Sequence, residues 1–294
     1  MKGTITALVT PFKGQELDEE GLASNIRYQI VNGVNGILVL GSTGEVSTLS
    51  PEEQEKCIKI AVREAKGKVQ VWVGTGSYCT KMTIEKTQKA QALGADVALI
   101  VTPYYNKPTQ EGLYRHFEAI SKAVQIPIML YNIPGRCGTN IELGTLLKIA
   151  EFPNVMGVKE SSGNIQQAGE FIHSISMKYP HFHVFSGDDA FTLPMMSLGA
   201  VGIVSVVSNL IPAAIVKQVN AALNGDFISA KEIHHQLLPL YNVAFVETNP
   251  VPIKTAMNLC GMPAGECRLP LYALSPNSLN LLKQKLHEME LIKQ

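Results

Sequence analysis

Eight short runs of Val, Ile and Leu punctuate the first 206 residues, at 5–10, 36–40, 69–74, 97–101, 128–131, 155–159, 183–186 and 202–206. Most are continuously apolar rather than alternating, the pattern of strands covered on both faces. Between them lie helix-length segments of mixed polarity. Leu22, Ile26 and Ile30 recur one turn apart behind Asp18-Glu19-Glu20. Ser50-Pro51-Glu52-Glu53 reads as a capping box with proline in the first helical position. Asn164, Asp188 and Asn209 are read as openings of later helices.

Eight strands alternating with helices require parallel pairing through helical crossovers. A closed (β/α)8 barrel and an open doubly wound sheet both satisfy that. Near-equal repeats within about 225 residues favour the barrel. The first strand-to-helix turn, Thr10-Pro11-Phe12-Lys13-Gly14, is no GxGxxG dinucleotide fingerprint. Beyond 225 the pattern is helical only, over 226–247, 250–260 and 276–292, with breaks at Asn249-Pro250, Gly261-Met262-Pro263 and Ser275-Pro276. The expected architecture is therefore α/β: a (β/α)8 TIM barrel over 1–225, with a C-terminal helical region over 226–294 packed on it.

Composition narrows the function classes. Charged residues are 17% of the chain, and 25 Lys plus Arg balance 25 Asp plus Glu. There is no basic excess of the kind nucleic-acid binders carry, and a near-zero net charge favours self-association. Five cysteines without a CxxC pair read as reduced thiols. No apolar stretch approaches the length of a membrane span, and Met1-Lys2-Gly3-Thr4 leads straight into a strand rather than a signal core. A cytoplasmic enzyme of small molecules is expected. Its seven histidines show no HExxH spacing, and P-loop and GxSxG motifs are missing from the sequence. No metal and no cofactor is expected.

In such barrels chemistry lies at the C-terminal strand ends. Strand two ends in Gly41-Ser42-Thr43-Gly44-Glu45, where glycines let backbone amides approach an anion; an ordinary glycine turn explains it equally well. Strand four ends in Thr102-Pro103-Tyr104-Tyr105-Asn106-Lys107-Pro108, a stiff loop that by itself reads as an aromatic packing plug. Strand five ends in Tyr131-Asn132-Ile133-Pro134-Gly135-Arg136. Tyr131 there points its hydroxyl at the barrel mouth, and Arg136 offers a two-point clamp for a carboxylate. Asp188 and Asp189, after strand seven, read as helix caps rather than an acid pair. The sharpest signal is Lys159, which follows the apolar run Val155-Met156-Gly157-Val158. Burial disfavours an ammonium there and favours the neutral amine that attacks ketones to form Schiff bases. Glu160 is a poor ion-pair partner, because neighbours on a strand point to opposite faces.

Taken in order along the barrel, the GSTGE turn, the TPYYNKP loop, the YNIPGR turn, the VKESSGN strand end and the SGDD turn resemble the dihydrodipicolinate synthase family. The resemblance covers essentially the whole chain. That family belongs with the N-acetylneuraminate lyases and other pyruvate-dependent class I aldolases. The resemblance implies that Lys159 forms a Schiff base with pyruvate. The enamine then attacks L-aspartate 4-semialdehyde, and cyclisation with loss of water gives 4-hydroxy-tetrahydrodipicolinate for diaminopimelate and lysine biosynthesis. It further implies that Tyr131 donates and accepts the proton beside Lys159. Ser42 and Tyr105 complete a hydroxyl relay, with Tyr105 entering from a neighbouring subunit of a homotetramer built from two tight dimers. Thr43 and the main chain of Val204 hold the pyruvate carboxylate, and Arg136 that of the semialdehyde. A lone phenol is a poor proton shuttle at neutral pH, whereas a chain of hydroxyls passes a proton without carrying a full charge.

The chain departs from the family pattern in two places. The family usually has two threonines in the turn that here begins with Ser42, and a serine there also occurs in the neuraminate lyase branch. The Arg136 and YYNKP patterns argue for the synthase branch. The runner-up reading is another pyruvate-dependent aldolase, such as N-acetylneuraminate lyase or a keto-deoxy sugar acid aldolase. A non-catalytic metabolite-binding barrel is the third. The second departure is at the dimer-interface cleft where lysine-inhibited members bind lysine through polar side chains. The corresponding positions hold Val46, Pro51, Tyr78 and Met82, with Tyr104 kept, so weak or absent feedback is expected; inhibition by sub-millimolar lysine would overturn it.

Overall fold

In a computed structural model, which describes residues 1–293, each of the eight apolar runs forms a strand. They are β1 Gly3–Ala7, β2 Gly36–Val39, β3 Gln70–Gly74, β4 Val97–Val101, β5 Ile128–Asn132, β6 Val155–Glu160, β7 His183–Ser186 and β8 Gly202–Ser205. All pair in parallel in chain order, and β8 closes on β1 with Gly3 opposite Gly202. The strands are nearly all buried because helices cover them outside while side chains from the strands themselves fill the inside. The inner layer includes Ile5, Leu38, Trp72, Leu99, Met129, Phe185 and Val204. Trp72 meets Phe185 edge-on at 5.5 Å within this inner layer.

Helix starts follow the cap chemistry at the Asp18, Ser50 and Asn164 openings. Asp18 accepts from Gly21 N ahead of the helix Glu19–Val31. Ser50 and Glu53 make the reciprocal capping box of Pro51–Ala65. Asn164 accepts from Gln167 N ahead of Ile165–Lys178. The expectation fails at Asp188, Asp189 and Asn209. The helix after β7 is Thr192–Ser197 and starts without a side-chain cap. Asp189 instead accepts from Ser205 Oγ at 2.5 Å and Val206 N at 2.9 Å. Asn209 takes Val9 N on Oδ1 and gives Nδ2 to Ala7 O. Asp189 ties the end of β7 to that of β8, and Asn209 ties the segment after β8 to the end of β1, where backbone just past the strands has lost its ladder partners. For the same reason the first strand stops at Ala7 rather than running to residue 10.

Past the barrel, helices Phe227–Val243, Val251–Leu259 and Pro276–Glu288 follow. Leu240, Ile253, Leu282 and Leu286 are fully buried in the same apolar layer as Ile203 and Val207, so these helices share the barrel's outer core. Among the described residues no helix is long and apolar enough to cross a membrane.

Candidate active site

Strand alternation decides which side chains enter the barrel. On β6, Val158 joins the outer apolar layer, and Glu160 turns out to accept from Asn132 Nδ2 at 2.8 Å and Ser162 N at 2.6 Å. Lys159 therefore points inward. It stands in register with Tyr131 on β5 and Phe185 on β7. It is 4% exposed, and its Nζ lies 4.2 Å from the centroid of the Tyr131 ring, itself 6% exposed. No carboxylate pairs with this amine among the described residues. It meets a π-face, which holds an ammonium less strongly than a carboxylate would.

Above Tyr131 a cleft of about 370 Å³ opens, walled by Ser42, Tyr104, Tyr131, Arg136, Cys137 and Asn249, among others. Volume of this order suits a small ligand. Ser42 arrives on the turn after β2, where Leu40 and Glu45 take left-handed backbone and Gly74 leaves room for the Leu40 carbonyl. Arg136 arrives on the single helical turn Pro134–Cys137 after β5. Its guanidinium has no carboxylate partner among the described residues, and Nη2 donates to Asn249 O at 2.9 Å. Burial pushes up both the Cys137 thiol and the Tyr104 hydroxyl, so both stay protonated at neutral pH. Tyr104 packs edge-on to Tyr78 at 5.7 Å.

Of the residues singled out from sequence, Lys159 and Tyr131 touch, and Ser42, Tyr131 and Arg136 share the cleft. Thr43 is buried behind the cleft wall, where its Oγ1 accepts from Asn249 Nδ2 at 2.9 Å. Val204 lies in the barrel's inner layer on β8. Tyr105 is not brought to its own chain's cleft: it is 94% exposed, with φ +73°. Pro51 and Met82 line a separate cavity of about 290 Å³ with Leu49, Ile58, Lys86 and Lys89.

Sequence reasoning passed over the roles of two residues. Asn249 touches both Thr43 and Arg136. Lys254, a second buried lysine, donates to Glu45 Oε1 at 2.7 Å, Thr10 O at 3.0 Å and Glu266 O at 2.9 Å. Burial lowers its affinity for a proton, and Glu45 pulls the other way. Lys254 carried the same signal as Lys159, a lysine inside an apolar run, but on a helix outside the eight strand ends. Asn249 was read only as part of the Asn249-Pro250 break, and nothing local marks a place for it in the site.

The Dihydrodipicolinate synthetase family model matches residues 1–289. A 4-hydroxy-tetrahydrodipicolinate synthase of Protochlamydia amoebophila is 53% identical over 290 residues, covering 98% of this chain and 97% of that one. One of Methanocaldococcus jannaschii is 47% identical over 292 residues, covering 99% of each. The crystal structure of dihydrodipicolinate synthase from Aquifex aeolicus superposes with a TM-score of 0.96 at 45% identity, covering all of both chains.

Proposed function

The chain belongs to the dihydrodipicolinate synthetase family, and from that membership we propose that Lys159 is the amine through which it condenses pyruvate with L-aspartate 4-semialdehyde. The reaction is a lyase-type synthesis of 4-hydroxy-tetrahydrodipicolinate for lysine and diaminopimelate biosynthesis. The observation that carries the assignment of Lys159 is its place: an inward lysine, unpaired by any described acid, against the ring of Tyr131, which itself lines the cleft. The amine adds to the C2 carbonyl of pyruvate and water leaves, giving an iminium ion. Loss of a C3 proton gives the enamine, whose C3 attacks the aldehyde carbon of the second substrate. The substrate's own amino group then closes on the imine carbon, displacing Lys159 and completing the ring.

Tyr131, whose ring packs on the reacting amine, serves as the proton donor and acceptor for these steps. Ser42, on the same cleft, extends the relay towards Tyr105 of a neighbouring subunit. Thr43 and the backbone at Val204 receive the pyruvate carboxylate. Arg136, with no protein carboxylate to neutralise it, receives that of the semialdehyde. Holding both substrates at one mouth supplies proximity. The relatives' names and the family description support this substrate pair over a sugar-acid aldehyde. The exposure of Tyr105 supports its insertion into a neighbouring subunit of the homotetramer that the family resemblance implies, and the five unpaired cysteines support a cytoplasmic home.

Borohydride added with pyruvate tests the assignment. The wild-type protein is expected to gain one reduced pyruvyl group, mapped to Lys159, and Lys159→Ala none. A wild-type protein without an adduct at position 159 would overturn it.

A further inference from the structure

Asn249 joins parts of the site that are far apart in the chain. It precedes the helix Val251–Leu259, lines the cleft, and is 4% exposed. Its Nδ2 donates to Thr43 Oγ1 at 2.9 Å, and its main-chain carbonyl accepts from Arg136 Nη2 at 2.9 Å. Its Oδ1 is buried with no partner. Thr43 and Arg136 are the groups assigned above to the carboxylates of the two substrates, and the inference rests on that reading.

A hydroxyl has one proton and two lone pairs. The amide of Asn249 occupies a lone pair of Thr43 Oγ1, so the hydroxyl proton is turned away from Asn249 and stays free for an anion. An acceptor in the same place would draw that proton to itself and leave lone pairs facing the substrate carboxylate. Arg136 obeys a similar constraint. Its guanidinium is planar, so tying one Nη2 hydrogen to a fixed carbonyl sets the plane and leaves the other donors for a ligand. We propose that Asn249 is a positioning residue that registers the two carboxylate-binding groups to each other. Its side-chain amide sets the polarity of the Thr43 hydroxyl, and its main-chain carbonyl sets the plane of Arg136.

A residue that merely ties the C-terminal helices to the barrel would tolerate its isostere better than its truncation. A polarity-setting residue requires the opposite order. The test compares Asn249→Ala with Asn249→Asp in the full-length protein. It measures separate half-saturation constants for pyruvate and semialdehyde, with the urea midpoint as a control on folding. Asn249→Ala frees the Thr43 hydroxyl to rotate and is expected to raise the pyruvate KM about tenfold. Asn249→Asp accepts the Thr43 proton and sets a negative charge beside the anion site, raising the same constant about a hundredfold. Lowering the pH should relieve the Asp defect, as the carboxyl protonates and regains a donor. The semialdehyde KM should move less in both, because the main-chain carbonyl survives.

An Asp variant with a pyruvate KM no worse than that of the Ala variant would overturn the inference. Should Asn249→Asp fail to fold, Thr43→Val supplies the second route. In that background Asn249→Ala should add nothing further to the pyruvate KM, and fully additive losses would sink the idea. The borohydride adduct separates this outcome from the parent reading: a wild-type protein that traps pyruvate while these variants behave additively refutes only the role of Asn249.

Discussion

Lys159 reaches its place because position 187 lacks a side chain. A Cβ on Gly187 would stand 2.7 Å from Lys159 Cε, 2.9 Å from its Cγ and 1.9 Å from Ser161 Oγ. Gly187→Ala therefore forces the lysine stem aside while leaving Tyr131 and the cleft walls in place. Displacing the proposed nucleophile by a fraction of an ångström to an ångström slows reaction far more than it weakens binding. The borohydride adduct is expected to form at least about tenfold more slowly in Gly187→Ala, with the urea midpoint little changed; trapping at the wild-type rate would refute the constraint. The buried, inward place of Lys159 was legible in the sequence because its signal is local, an amine at the end of an apolar strand. Tyr131 was legible for the same reason. Asn249 was not, because its role exists only through contacts with Thr43 and Arg136, both more than a hundred positions away. Gly187 sat in a recognised turn, yet which atoms its missing side chain makes room for depends on how β6 and β7 register.

Elements follow the same division between local and distant causes. The strands were legible because a parallel strand covered on both faces is a continuous apolar run. The caps at Ser50 and Asn164 were legible because a cap bonds within three residues of itself. Asp189 and Asn209 misled because their side chains reach across to the ends of other strands. The joint between the C-terminal helices and the barrel is likewise distant chemistry. Lys254 on Val251–Leu259 meets Glu45, which ends the cleft turn, and Glu45 Oε2 also accepts from Arg268 N at 2.9 Å. Phe12 lies beneath both cations, its ring centre 4.4 Å from Lys254 Nζ. Lys254→Met leaves a buried carboxylate without its ammonium and should cost about 3–5 kcal/mol of stability. Adding Glu45→Gln removes the stranded charge and should restore most of that loss. Urea unfolding of the two single variants and the double reads this directly. Additive single losses would show that the pair does not act as a unit.

At the scale of the whole molecule the loop carrying Tyr105 makes few contacts with its own chain's cleft. Tyr105 is almost wholly exposed in a left-handed backbone conformation that is unfavourable for a bulky residue. The loop is held there by Asn106, whose Nδ2 donates to Tyr78 O at 2.8 Å, and Tyr78 in turn packs on Tyr104. A rigid loop that presents one strained aromatic residue to solvent, beside a cleft whose proposed relay calls for a third hydroxyl, fits a site completed by exchange between two copies. An isologous dimer would make the exchange reciprocal, each chain giving its Tyr105 to the other's Tyr131 and Ser42. Low charge and zero net charge remove the electrostatic obstacle to such pairing. The arrangement predicts complementation. Lys159→Ala alone has no amine, and Tyr105→Phe alone has lost the relay hydroxyl from every site. In a mixed dimer the Tyr105→Phe chain keeps its own Lys159 and receives an intact tyrosine from its Lys159→Ala partner, so one of the two sites is whole. Unfolding and refolding the two variants together at equal amounts should yield half mixed dimers and so about a quarter of wild-type activity, far above either variant alone. Activity no higher than that of the Tyr105→Phe fraction by itself would mean that each chain completes its own site, and the exposed tyrosine would then need another explanation.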